Sequence, residues 1–134
     1  MLRPANPADL PALLAIRDAS GADALSDPAL VIEADLRRLI ATGSVTVWEE
    51  EGQVAGFAAA DGEMIYLLVD TARRGKGGGR ELLATACAAL KAAGHAAATL
   101  TLAPGGIGER HYRAAGWFNA GETATGGTVL KKPF

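Results

Sequence analysis

Apolar and polar positions change period several times along the chain, and each change marks an element boundary. Leu2-Arg3-Pro4-Ala5 reads as a short edge strand, because the proline has no N–H to give to a central ladder. Asn6-Pro7-Ala8-Asp9 is a helix start: an N-cap side chain, a proline at the first helical position and an acid in the first turn. The helix that follows carries Leu10, Leu13, Leu14 and Ile16 and fades at Ser20-Gly21. Asp27-Pro28 repeats the start signal. A second helix sets Ile32, Leu36, Leu39 and Ile40 on one side and spaces Glu33 and Arg37 four apart as an ion pair, and Gly43 ends it.

The period then drops to two. Val45, Val47 and Glu49 alternate with Thr46 and Trp48, Glu51-Gly52 turns the chain, residues 54–60 form the next strand, and Asp61-Gly62 is a hairpin signal into residues 63–69. The apolar run 64–69 is followed by a glycine-rich loop and then by a helix with Leu82, Leu83, Ala86, Ala89 and Leu90 at helical spacing, ending at Gly94. Residues 95–102 read as a strand reached by a helical crossover, and so parallel to strand 64–69. A short helix is expected over 107–115. A closing hairpin of residues 117–123 and 128–132 follows, turning at Thr125-Gly126-Gly127. The order β-α-α-β-β-β-α-β-α-β-β predicts a single α/β (α+β) domain over residues 1–134. Its mixed, mostly antiparallel sheet of six to seven strands is flanked by helices.

The stretch 64–90 organises the rest. Between its strand and its helix lies Arg73-Arg74-Gly75-Lys76-Gly77-Gly78-Gly79-Arg80. Unpaired amides and the partial positive charge of a helix N-terminus attract an anion, and glycines let a phosphate approach the backbone. Arg73, Arg74, Lys76 and Arg80 add side-chain charge. A nucleotide P-loop requires Gly four residues before Gly-Lys and Ser or Thr after it; Asp70 and Gly77 stand there instead. The dinucleotide pattern G-x-G-x-x-G begun at Gly75 ends on Arg80 and fails as well. What fits is Arg74-x-x-Gly77-x-Gly79 after an apolar strand and before Leu82-Leu83.

That segment resembles motif A of the GNAT N-acetyltransferase superfamily, Q/R-x-x-G-x-G/A. A second segment, His111-Tyr112-Arg113-Ala114-Ala115-Gly116-Trp117, is similar to the F-Y-x-x-x-G-F stretch of many of its members. The element order agrees over essentially the whole chain. The resemblance implies transfer of an acetyl group from acetyl-CoA, as cosubstrate, to a primary amine of a small molecule or peptide, without a covalent enzyme intermediate. It implies that Arg73, Arg74, Gly75, Lys76, Gly77, Gly78, Gly79 and Arg80 hold the pyrophosphate. Leu67, Leu68 and Val69 would supply a backbone donor to the thioester, near a strand bulge. It makes Tyr112 the general acid beside the CoA sulfur, and Glu63 the candidate base by position, with a plain hairpin-end carboxylate as its other reading. Glu33 is a weaker candidate base. Tyr66 faces either the acceptor or the core. Two positions depart from the family pattern: Thr71 replaces a frequent proline, and Gly105 a frequent asparagine that contacts pantetheine. The alternative reading is a non-catalytic acyl-CoA-binding module on the same fold.

Composition narrows this further. A net charge of −2 argues against a general nucleic-acid surface, because the basic residues cluster only at 73–80. No apolar run reaches membrane-spanning length. Cys87 is the single cysteine, which excludes an intrachain disulfide and suits a reducing, cytoplasmic setting; it reads as packing. His95, His111 and Cys87 are too isolated to suggest a metal site. The protein is expected to work as a monomer or homodimer.

Overall fold

The computed structural model describes every residue except Ile107. Among the described residues, seven strands form one sheet: β1 (Leu2–Pro4), β2 (Val45–Glu50), β3 (Gln53–Asp61), β4 (Met64–Val69), β5 (Ala97–Leu102), β6 (Phe118–Glu122) and β7 (Thr128–Pro133). Their spatial order is β1-β2-β3-β4-β5-β7-β6. Neighbours run antiparallel except β4 and β5, which are parallel as the helical crossover requires. The helices are α1 (Leu10–Ala19), α2 (Glu33–Ala41), α3 (Gly78–Ala92) and α4 (Glu109–Ala114). The mixed sheet and the element order agree with the sequence-based expectation. The predicted start of the fourth helix at Ile107 lies outside the described residues.

Alternation along β4 explains why its six residues are all apolar. Ile65, Leu67 and Val69 join one buried layer with Leu82 and Leu90 of α3, Leu100 and Leu102 of β5, and Tyr112 and Trp117. Leu68 joins the opposite layer with Leu10, Leu13 and Ile16 of α1, Leu36, Leu39 and Ile40 of α2, and Phe57, and Tyr66 packs against it from the partly exposed side. Helices on both faces bury the strand from Leu67 to Val69 on both sides and leave only Met64 and Tyr66 partly exposed.

Both N-terminal start signals open with a single 3₁₀ turn. Asn6 caps the turn Pro7–Asp9, accepting from the Ala8 N–H at 3.0 Å, and Asp27 caps the turn Pro28–Leu30, accepting from the Ala29 N–H at 3.0 Å. The second helix proper starts later than Asp27-Pro28 suggests. Ile32, assigned to the buried side from spacing, is its exposed N-cap. The Glu33–Arg37 pair forms at 2.9 Å.

Asp9 anchors the first corner. Its carboxylate accepts two hydrogen bonds from Arg3, at 2.8 and 2.9 Å, and a third from the Asn6 N–H at 2.8 Å. The Arg3 hydrogen bonds, more than any other contact, hold its carboxyl below the ordinary carboxylate range. A depressed folded value means the stabilisation is fully present above the unfolded carboxylate value and is lost as pH falls through the folded one. Asp9→Asn is expected to cost about 1–3 kcal/mol at pH 7 and progressively less in acid. Urea unfolding at pH 7 and at pH 3 checks this; an equal cost at both pH values would contradict it.

The β4–β5 pair controls what lies next. Its register consists of one residue pair, Met64 opposite Thr99, with the Thr99 N–H donating to the Glu63 carbonyl at 2.8 Å. Beyond that pair the strands part. The Leu67 N–H donates to Ser26 Oγ at 2.9 Å, and the Thr101 carbonyl accepts from the Asp27 N–H at 2.7 Å.

Candidate active site

The chain leaves β4 through a tight turn. Asp70 donates its N–H to the Ala55 carbonyl at 2.7 Å, and its side chain caps the 3₁₀ turn Thr71–Arg73 by accepting from Ala72 N–H at 3.1 Å. Gly75 and Gly77 then take φ of 82° and 87°, left-handed values that only glycine adopts freely. Gly77 is the N-cap of α3. Gly78 is glycine for a different reason. A Cβ there would lie 2.2 Å from Trp48 Cε3, because the indole of β2 packs flat under the first turn of the helix. The first helical hydrogen bond runs from Glu81 N–H to the Gly77 carbonyl. Among the described residues, the backbone N–H groups of residues 75–80 donate to no protein acceptor. They form a set of unpaired donors at the positive end of the fifteen-residue α3.

The four cations of the loop part company. Arg73 donates to Asp70 Oδ2 at 2.9 Å and to Gln53 Oε1 at 3.1 Å, and Lys76 to Glu50 Oε1 at 3.0 Å, so both charges are shared with acidic or amide partners. Arg80 is exposed and, among the described residues, forms no ion pair. Arg74 differs from all three. Its Nη1 donates at 3.3 Å to Asp23 Oδ2, while its Nε and Nη2 are buried without a hydrogen-bond partner. Buried guanidinium donors left unpaired cost several kcal/mol unless an anion meets them. A diphosphate group has the charge and acceptor count to do so, and residues 74–80 therefore fit it.

Tyr112 sits on α4, 3% exposed, its ring edge-on to Trp117 with centroids 5.7 Å apart. Gly116 makes that contact possible: its φ of 99° reverses the chain after α4, and Trp117 N–H donates back to the Tyr112 carbonyl. Burial pushes the phenol well above its ordinary value near 10, so it stays protonated across the neutral range. The hydroxyl donates to the Leu25 carbonyl at 2.7 Å. Glu63 occupies the β3–β4 turn, four residues before Leu67, which places its backbone about 13 Å from Leu67 along the strand. At that separation a carboxylate reaches a group beside Leu67 through intervening water rather than directly.

β4 itself keeps an unbroken register against β3 from Met64 to Val69. The register shift expected near the donor lies instead in β2, between Trp48 and Glu49. Cys87 is half-buried on α3 against the apolar layer, and burial raises its thiol. Among the described residues, no group of three or more His, Cys, Asp or Glu side chains comes together to hold a metal ion, and no helix is long and apolar enough to cross a membrane. Sequence reasoning missed two participants. Trp48 stood out in the sequence only as one position of an alternating strand, although a large aromatic needs a small partner somewhere. Residues 22–27 looked like a connection between helices, although Ser26 and Asp27 turn out to be buried polar residues.

The profile of the acetyltransferase (GNAT) family matches residues 12–116. No curated protein matches the sequence. Solved structures with the same fold include a ribosomal-protein-alanine N-acetyltransferase from Brucella melitensis, 23% identical, covering 100% of this chain and 99% of that one, with a TM-score of 0.77. A phosphinothricin acetyltransferase from Sinorhizobium meliloti in complex with acetyl-CoA is 24% identical over 100% and 88% of the two chains, with a TM-score of 0.77. An N-acetylglutamate synthase from Neisseria gonorrhoeae, complexed with coenzyme A and N-acetyl-glutamate, is 18% identical over 99% of this chain and 34% of that one, with a TM-score of 0.78.

Proposed function

The chain belongs to the acetyltransferase (GNAT) family, and on that premise we propose that it transfers the acetyl group of acetyl-CoA to a primary amine by direct attack. The observation that carries the reading is Arg74, whose Nε and Nη2 are buried and unpaired beside the free amides of residues 75–80. Acetyl-CoA supplies an activated thioester and, in its diphosphate, the anion those donors lack. Arg80, exposed at the start of α3, adds a charge at the rim.

The chain's own residues then have separable tasks. Residues 74–80 fix the diphosphate, and the Leu67 N–H offers a donor where negative charge develops on the thioester oxygen. Tyr112 gives its proton to the departing sulfur as the C–S bond breaks. The amine, mostly protonated in water, must shed a proton before it attacks the carbonyl carbon. Glu63 accepts that proton through water, given its distance from Leu67. Positioning of amine and thioester supplies much of the rate, so a nucleophilic Ser or Cys is not needed. The products are an amide and free CoA thiol. Ribosomal-protein-alanine, phosphinothricin and glutamate acetylation among the relatives make a primary amine the class of acceptor to test first.

Release of free thiol from acetyl-CoA across a panel of polyamines, amino acids, aminoglycosides and peptides tests the reading. Arg74→Ala is expected to weaken CoA binding at least 10-fold by calorimetry, since it removes a charge-assisted phosphate contact. Unchanged affinity would remove the diphosphate assignment. Tight CoA binding with no thiol release for any amine would favour the non-catalytic CoA-binding module.

A further inference from the structure

Residues 22–27 do more than connect α1 to α2. Ser26 is 1% exposed, and its hydroxyl bonds both polar groups of Leu67, accepting from the N–H at 2.9 Å and donating to the carbonyl at 3.0 Å. Asp27 N–H donates across to Thr101 of β5 at 2.7 Å. The segment is therefore bonded to both strands where they part, filling the gap as a third strand would. Upstream, the Leu25 carbonyl takes the Tyr112 hydroxyl, and Asp23 takes Arg74 Nη1 through its carboxylate at 3.3 Å and its carbonyl at 3.4 Å. A Cβ at Gly79 would lie 2.8 Å from Leu25 Cδ1, so the same segment also lies against the first turn of α3.

Three of the groups given a task above, Leu67, Tyr112 and Arg74, are thus already engaged by one short piece of chain. The Leu67 donor holds a hydroxyl oxygen, the Tyr112 proton holds a carbonyl, and Arg74 holds a carboxylate. We infer that residues 22–27 are a strap that closes the β4–β5 slot in the free protein, with Ser26 Oγ standing where the thioester oxygen goes. The strap must swing out, between Gly21 and Pro28, before acetyl-CoA is bound. The inference rests on the reading of Leu67, Tyr112 and Arg74 as the thioester and diphosphate site. The strap is a conformational cost on binding: the apparent affinity is the intrinsic one scaled by the fraction of molecules with the strap open.

Two measurements test it. Hydrogen exchange on the unaltered protein, with and without saturating CoA, follows the Asp27 amide and the amides of residues 75–80. Asp27 is expected to lose protection when CoA binds while residues 75–80 gain it. Calorimetry on Ser26→Ala, which removes both hydrogen bonds to Leu67, is expected to show CoA binding about 10-fold tighter than in the unaltered protein. CoA binding with Asp27 still protected, or binding to Ser26→Ala that is equal or weaker, would overturn the strap and leave the acetyl-CoA reading standing. Absence of CoA binding to both proteins would overturn both. Binding to Ser26→Ala alone would support both. The exchange experiment needs no substitution, so a folding defect in the variant leaves the inference testable.

Discussion

Tyr112→Phe is expected to lower turnover about 100-fold with an amine acceptor, without raising the KM for acetyl-CoA. The substitution keeps the ring, its edge-on contact with Trp117 and its place in the buried layer, and removes one hydroxyl. A general acid missing from the transition state lowers kcat, whereas a lost packing contact lowers stability. The hydroxyl also holds the Leu25 carbonyl, so its removal loosens the strap, and the KM for acetyl-CoA should stay level or fall. The pH profile adds an independent reading. Burial raises the phenol above its ordinary value, so it stays protonated past pH 10, and if it is the proton donor the unaltered protein should show no loss of turnover from this group between pH 8 and 10. Steady-state kinetics on both proteins across that range are the check. Turnover within about 2-fold of the unaltered enzyme would make Tyr112 a packing residue.

Gly78→Ala is expected to destabilise the fold by about 2–3 kcal/mol, against the ordinary preference of helices for alanine. In an open helix position the same change would stabilise by about 1 kcal/mol. Here the new methyl would meet Trp48 Cε3, Cδ2 and Cζ3 at 2.2, 2.3 and 2.4 Å. Trp48 is 6% exposed and fixed between β2 and α3, so the ring cannot step aside without moving the strand or the helix. Either movement also shifts the amides of residues 75–80, and CoA affinity should fall with stability. Urea unfolding followed by tryptophan fluorescence measures the first effect and calorimetry the second. Gly43→Ala is the control. It has a left-handed φ of 74°, which the helical Gly78 does not share, and nothing within 4 Å of the added carbon, so it should show backbone strain alone, about 1 kcal/mol. If Gly78→Ala is neutral or stabilising, as in an open helix position, the Trp48 contact is not what makes Gly78 necessary.

Much of this protein is legible residue by residue. Asn6-Pro7-Ala8-Asp9 becomes a capped turn leading into α1, and Asp61-Gly62 becomes the β3–β4 hairpin, because capping and turn chemistry act over three or four residues. The apolar run of β4 is buried on both faces from Leu67 to Val69, and Gly75 and Gly77 after it take the left-handed φ values the turn requires. The parallel β4–β5 pair follows from a helical crossover. Those features depend on period, propensity and sterics, which neighbours in the chain settle among themselves.

Other features depend on residues far apart. Arg73 and Lys76 look like phosphate ligands in the loop, yet Glu50, more than twenty residues upstream, comes within reach of both. Ile32 has helical spacing with Leu36 and Leu39 but falls at the cap, where the chain turns toward solvent. Trp48 meets Gly78, and Ser26 meets Leu67, across thirty and forty-one positions. The sequence by itself determined the order of elements and the glycine loop between β4 and α3. Only the tertiary structure decided which of the loop's charges remain free and which segment fills the gap between β4 and β5. A hydrogen bond or a packing contact is satisfied by whichever group the fold brings near, and chain separation carries no information about that distance.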